Sequence, residues 1–91
     1  MNLFELVLKV GDLNQEETIY AKQPWSSESE AVVRIEDEEL LIPKDLELEG
    51  YDYFLEVDSA LELKEDLIKA GSIKDDLSLC NRIIQYAIND A

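Results

Sequence analysis

The sequence predicts an α+β domain with an N-terminal helix, a small, mainly antiparallel sheet of about three strands, and two C-terminal helices packed on one face. Three observations support this fold class. Apolar residues recur with helical spacing near the N-terminus, three central runs are rich in β-branched and aromatic residues, and helical periodicity returns over the last third of the chain. With 91 residues, 46% of them hydrophobic, the chain is expected to form a single domain, 1–91, with one modest core.

The first helix is predicted directly at the N-terminus. Asn2 can cap it, since Glu5 follows at the spacing of a capping box, and Gly11 is expected to end it. Between these residues, apolar side chains fall on one helical face: Leu3, Leu6, Val7 and Val10. We therefore expect a short helix that buries one side.

Three runs are predicted as strands, at 18–22, 31–35 and 51–57. The connection at 23–30 is too long for a two-residue hairpin turn and is rich in loop-forming residues. The first two strands are therefore expected to pair antiparallel, with a wide connection between them.

The segment 44–49 fits two structures. Leu46 and Leu48 alternate as in a strand, whereas Pro43 and Gly50 stand where a short helix begins and ends. The two flanking residues favour a helical turn.

Two helices are predicted after the last strand. Ser59 and Glu62 have the capping-box spacing, Gly71 is expected to end the first helix, and the second can begin at Ser72. The apolar residues of the second form two adjoining stripes, Ile73, Leu77, Cys80, Ile84 and Ala87 beside Leu79, Ile83 and Tyr86. So wide a surface needs cover from two directions. The sheet can cover one side of this surface, and either a neighbouring helix or a second copy of the chain can cover the other side. A homodimer is therefore predicted.

Negative charge is concentrated in the middle of the chain. The net charge is −14, and residues 28–66 hold 15 carboxylates against three basic side chains. One side of the molecule is therefore expected to carry a negative field. Direct binding to nucleic acid or to an anionic membrane is not expected, because both need clustered Lys and Arg. A basic protein is the partner that this charge favours.

The residues predicted to bind that partner are the acidic run Glu36, Asp37, Glu38 and Glu39, together with Trp25. Trp25 follows a proline in a predicted loop. It can fold back over the sheet as a plug, or stand exposed as an interface anchor.

The residues available for catalysis are few. The absence of histidine removes the usual near-neutral acid–base group and every Ser-His or Cys-His pair, so the chain is predicted not to be an enzyme, and no cofactor is expected. Residues 45–56 place acidic side chains and Gly50 at the spacing of a calcium-binding loop. The long Glu side chains and the strand pattern from Tyr51 onwards disfavour a metal site there.

Cys80 is the single cysteine, and three residues on its helical face, Leu77 at i−3, Ile84 at i+4 and Ala87 at i+7, are apolar. It is expected to be a small buried hydrophobe with an unreactive thiol. The first residues lack the features of a secretory signal, and no apolar run approaches the ~18 residues that span a bilayer. The predicted location is cytoplasmic.

Four short motifs carry a resemblance to a known family. They are Ile19-Tyr-Ala, Pro24-Trp25, the run from Tyr53 to Val57, and the ending 86–91. The chain resembles a family of small bacterial domains of unknown function over roughly residues 18–91. The resemblance implies no established activity, and it implies a structural role for Pro24 and Trp25.

The predicted function is a non-enzymatic, protein-binding module, immunity-like or regulatory, that recognises a basic partner through its acidic face. One alternative is a mimic of nucleic-acid charge, which needs carboxylates spaced like phosphates. Another is a carboxylate-based, metal-dependent enzyme or an accessory to one, which needs several carboxylates in one pocket.

Overall fold

The computed structural model describes residues 1–35, 42–71 and 73–90, and it has the predicted α+β architecture. The helices are α1 (Leu3–Leu8), α2 (Lys44–Leu48), α3 (Val57–Ala70) and α4 (Asp76–Asp90), with one 3₁₀ turn at Val10–Asp12. The strands are β1 (Glu17–Lys22), β2 (Ala31–Ile35) and β3 (Tyr51–Glu56). For the segment 44–49 the sequence allowed a strand or a helical turn, and the structure has a helix over its first five residues.

The three strands form one antiparallel sheet in the order β2-β1-β3. The β1–β2 pairing is regular, with Ala21 opposite Ala31. The β1–β3 pairing shifts by one residue, because Ile19 lies opposite Leu55 while Tyr20 lies opposite Tyr53. Phe54 is thus the extra residue of a β-bulge. Since a bulge interrupts the strict alternation of faces, Phe54 and Leu55 can enter the same core.

The main core lies between one face of the sheet and helices α1, α3 and α4. Ile19 and Ala21 of β1 contribute to it, and Tyr20 between them does not. The fully buried apolar side chains of the helices complete it, namely Leu3, Leu6, Val7, Val57, Ala60, Cys80 and Ile83. The two C-terminal helices therefore pack on one face of the sheet, as predicted.

A second, smaller cluster covers part of the opposite face. Tyr20, Leu46 and Tyr51 are buried in it, with Ile42 and Tyr53 packed around them. The rings of Tyr20 and Tyr53 meet edge to face, with centroids 6.3 Å apart. Helix α2 thus holds its place through Leu46, although at five residues it is too short to be stable alone.

Helix α1 has the predicted capping box. The Asn2 side chain accepts the Glu5 N–H at 2.8 Å, and Glu5 Oε1 accepts the Asn2 N–H at 3.3 Å. Its other end is capped from α3, where the Lys64 ammonium donates to the carbonyl oxygens of Val7 and Leu8 at 3.1 and 2.9 Å. A cation there compensates the negative end of the helix dipole and ties α1 to α3.

The starts of α3 and α4 differ from those predicted. Helix α3 begins at Val57 without a side-chain cap, so the capping box of Ser59 and Glu62 was wrong. The strand passes into the helix without a loop, which leaves Ser59 inside the first turn. The predicted start of α4 at Ser72 lies outside the described residues, and the helix begins only at Asp76. Asp75 caps it by accepting the Ser78 N–H at 2.8 Å.

Neighbouring helices cover the apolar stripes of α4. Helices α1 and α3 both pack against it, and its buried residues are Leu79, Cys80, Ile83, Ile84 and Ala87. Leu77, Tyr86 and Ile88 stay about half exposed. The homodimer stays a prediction. Within the described residues, no helix is both long and apolar enough to cross a lipid bilayer.

Candidate partner-binding surface

Trp25 lies folded back against the sheet rather than projecting from the loop. Its Nε1–H donates to the backbone carbonyl oxygen of Ala21 at 3.1 Å, and its ring meets Phe54 edge to face at 5.0 Å between centroids. The side chain is partly buried and packs against the main core. This is the first of the two arrangements that the sequence allowed. A partner-binding role for its remaining exposed surface stays a prediction.

The loop that carries Trp25 is closed by its own side chains. Ser29 Oγ donates to the carbonyl oxygen of Pro24 at 3.1 Å and accepts the Ser26 N–H at 2.9 Å. These contacts hold the chain on both sides of the indole, so the ring has a fixed position over the sheet.

The predicted acidic run, Glu36, Asp37, Glu38 and Glu39, lies outside the described residues. The chain enters it from β2, which ends at the exposed Ile35, and leaves it at Ile42, which packs on the second cluster. The partner-binding role of the run stays a prediction.

The described carboxylates of the acidic region, residues 28–66, lie in the loop before β2, on α2 and at its C-cap, on β3 and on α3, and nearly all are exposed. They are Glu28, Glu30, Asp45, Glu47, Glu49, Asp52, Glu56, Asp58, Glu62, Glu65 and Asp66. Asp45 forms an ion pair with Arg34 at 3.2 Å. The acidic side chains of α3 form no ion pair within the described part of the chain, so their charge is available to an external partner.

The Glu30 carboxylate, by contrast, forms contacts with side chains of the same chain. Its carboxylate pairs with Lys22 at 3.3 Å and accepts the Tyr51 hydroxyl at 3.4 Å. The Lys22 ammonium also lies 5.1 Å from the centre of the Tyr51 ring. Burial raises the pKa of Tyr51, with the Glu30 charge acting in the same direction. This cluster joins the end of β1 to the start of β3.

A concave surface lies where α3, α4 and β3 meet. A cleft of about 170 Å³ is lined by residues 53–56 of β3, by Ser59 and by Tyr86. Ser59 and Tyr86 also line a second hollow, of about 250 Å³, which is bordered by Glu62 and Asp66. We name the two together the Tyr86 groove.

The Tyr86 groove has an acidic wall. Glu56, Glu62 and Asp66 border it, and all three side chains are exposed. Tyr86 lies in both hollows with 45% of its surface exposed. A third hollow, of about 230 Å³, continues along α3 and α4 past Tyr86 and includes Arg82. The groove therefore combines an aromatic ring and carboxylates, which is a surface suited to Lys or Arg side chains.

The segment with calcium-loop spacing does not form such a loop. Residues 44–48 are helical and 51–56 form a strand, whereas a calcium loop wraps its ligands around one centre. Nowhere in the described residues do three Asp, Glu or Cys side chains converge to hold a metal ion.

Cys80 is fully buried in the main core. Burial raises the pKa of its thiol to about 11, because the thiolate would lose its hydration. At neutral pH the group is a protonated, inert part of the core.

Sequence reasoning placed Tyr86 in an apolar stripe and did not find the groove. A partial signal was present, since Glu62 and Asp66 are four residues apart and therefore share one face of α3. What the sequence does not contain is the position of α4, which brings Tyr86 to that face.

Comparisons of the chain with protein-family models, with curated proteins and with solved structures found no match.

Proposed function

We propose that the chain is a cytoplasmic, non-enzymatic binding module for a basic protein, with an immunity-like or regulatory role. The observation that carries the proposal is the uneven charge, 15 carboxylates against three basic side chains over residues 28–66. Opposite charge on a partner would speed association and select against acidic competitors.

The described surface supports the proposal. The carboxylates of α3 are exposed and form no ion pairs within the described residues, so binding would not first have to break internal contacts. The lack of histidine and the buried, protonated Cys80 support a function without catalysis. The single reduced cysteine supports a cytoplasmic location.

The test is an affinity capture with the tagged chain from its native host, washed at low and then at high salt, with mass spectrometry of the eluates. The proposal expects one basic protein in stoichiometric amount, retained at low salt and released at high salt. Capture of no protein, or of a partner that high salt does not release, would contradict it.

Two charge variants define the surface. One neutralises the predicted run with Glu36→Gln, Asp37→Asn, Glu38→Gln and Glu39→Gln, and the other neutralises the groove with Glu62→Gln and Asp66→Asn. The matched control for the second is Asp12→Asn with Glu16→Gln, because both side chains are exposed and lie outside the acidic region. The variant of the acidic run, the variant of the groove, or both are expected to capture less of the partner. The control variant is expected to capture as much as the unchanged chain.

A further inference from the structure

A groove runs between α3 and α4. Its two halves are the second and third hollows, of about 250 and 230 Å³, and Tyr86 lines both of them. One wall carries side chains of α3 from Ser59 to Leu67, and the other carries side chains of α4 from Arg82 to Asn89. Each wall therefore follows its helix for about two turns, or roughly 12 Å. We name this surface the α3–α4 groove, and it overlaps the Tyr86 groove at the second hollow.

The partly buried side chains of the α3–α4 groove are apolar. Leu63 and Leu67 are four residues apart and share one face of α3. The ring of Tyr86 lies beside them with 45% of its surface exposed. Half-exposed aromatic rings of this kind supply much of the binding energy at protein interfaces. An occupant therefore needs an apolar stripe that can cover these three side chains.

The two walls differ in charge. Exposed Glu62 and Asp66 line the α3 side, whereas the α4 side carries Arg82 with the uncharged Gln85 and Asn89. Glu62, Asp66 and Arg82 form no ion pair with any side chain in the described part of the chain. Charge complementarity therefore requires Lys or Arg on the flank of the occupant that faces α3, and uncharged or acidic residues on the flank that faces α4.

The backbone of the walls favours a helical occupant. Between Glu62 and Asp66, and between Arg82 and Tyr86, the walls are interior turns of α-helices, whose N–H and C=O groups are bonded within their own helix. An extended segment would lose the hydration of its main chain there without gaining partners, whereas a helix has its main-chain hydrogen bonds already formed. A second copy of the chain is a poor occupant, because each copy carries a net charge of −14.

We propose that the α3–α4 groove binds an amphipathic helix of the basic partner protein. The apolar stripe of that helix lies on Leu63, Leu67 and Tyr86, and a row of Lys or Arg on its flank pairs with Glu62 and Asp66. This inference rests on the proposed function and adds the location and the binding mode.

The probe is a synthetic peptide of about 18 residues, designed as a helix with a Leu stripe, a row of Lys along one flank of that stripe, and Gln elsewhere. Its isomer has the same composition and charge, but its Lys row lies on the face opposite the Leu stripe. A third peptide has Pro in place of a central Gln, which disrupts the helix. In calorimetry the flanked peptide is expected to bind at least about fivefold more tightly than the isomer. It is expected to bind at least about tenfold more tightly than the Pro peptide.

Charge variants test the α3 wall. The Glu62→Gln/Asp66→Asn variant is expected to bind the flanked peptide about fivefold more weakly, and to bind the isomer as well as the flanked peptide. The Asp12→Asn/Glu16→Gln control makes the same change of charge outside the acidic region and is expected to bind the flanked peptide normally.

A pair of apolar variants on α4 tests the position of the peptide. Tyr86→Ala is expected to bind the flanked peptide about tenfold more weakly. Its control, Ile88→Ala, removes an apolar side chain that is 49% exposed and lies outside the groove, and it is expected to bind normally. In NMR the flanked peptide is expected to shift the methyl signals of Leu63 and Leu67, and to leave those of Leu48 on α2 unchanged.

Equal binding of the flanked peptide and its isomer to the unchanged chain would overturn the inference, and so would equal binding of the Pro peptide. Failure of the flanked peptide to bind at about 1 mM would also overturn it. A dimer that Tyr86→Ala dissociates would show that a second copy fills the groove, which overturns it as well. In each of these cases a salt-sensitive basic partner in the affinity capture would still support the proposed function, whereas a capture without any basic partner would overturn that function itself.

Discussion

The packing of Trp25 leads to a prediction that separates its structural role from a binding role. In Trp25→Ala the indole loses the hydrogen bond to Ala21, worth about 1 kcal/mol, and the edge-to-face contact with Phe54, worth about 0.5–1.5 kcal/mol. The variant also loses the burial of the apolar surface of the indole, which lowers the free energy of unfolding further. Since complete removal of a fully buried Trp costs about 3–5 kcal/mol, the expected loss for this half-buried one is about 3 kcal/mol.

The assay is urea unfolding followed by circular dichroism at a helix band, because the variant has no tryptophan to report by fluorescence. Trp25→Phe is expected to lose only about 1–1.5 kcal/mol, since it keeps a ring beside Phe54 and lacks the N–H donor. The control is Leu48→Ala, whose side chain is 80% exposed, with an expected change below about 0.5 kcal/mol. A Trp25→Ala variant as stable as this control would refute the packing of the indole on the sheet.

Further predictions concern single contacts. Lys64→Met removes the ammonium that caps α1 and is expected to lower the free energy of unfolding by about 1–2 kcal/mol. The control Lys69→Met makes the same charge change on the same helix, and its free energy of unfolding is expected to fall by less than about 0.5 kcal/mol. The Cys80 thiol is expected to react with a disulfide reagent at pH 8 only after denaturation, and prompt reaction of the folded chain would contradict its burial. Asp75→Ala is expected to lower Tm at pH 7, whereas Asp75→Asn keeps the helix cap and is expected to preserve it. The hydrogen bond from Ser78 lowers the pKa of Asp75 below 3.8. The stabilisation that the ionised Asp75 gives is therefore present above pH 3.8 and is lost as the pH falls through the lowered pKa. Light scattering across the micromolar range tests the predicted homodimer, and a monomeric mass throughout would refute it.

Much of the fold was predictable because local signals agreed with one another. The capping box at Asn2 and Glu5 formed as the spacing indicated, and Gly71 ends α3 in the left-handed conformation, with φ of 73°, that glycine adopts easily. The strand at 31–35 has the predicted bounds, since Val and Ile flanked by polar residues leave little ambiguity.

The predicted helix starts failed where two signals competed. Val57 continues the β-branched pattern of β3, yet it is the first residue of α3, because burial of its side chain in the core decides between the two periods. A start at Ser72, as predicted, would place Asp75 and Asp76 in the first turn of α4. Asp75 instead caps the helix, a role for which aspartate is as suitable as serine.

The candidate site was less predictable than the fold. Charge alone identified an acidic region, and it singled out Glu36 to Glu39 because they are consecutive. The Tyr86 groove depends on the bulge at Phe54 and on the packing of α4 beside α3. Phe54 and Tyr86 are 32 residues apart in the chain and line the same hollow, and proximity over such a separation leaves no pattern in a single sequence.

The most direct measurement of the central claim is the association rate with the captured partner as a function of salt. Between about 0.01 M and 1 M ionic strength the Debye length falls from about 30 Å to 3 Å. If the acidic surface recognises a basic protein, the association rate is expected to fall at least tenfold over this range, with a smaller change in dissociation. An association rate independent of salt would contradict the account.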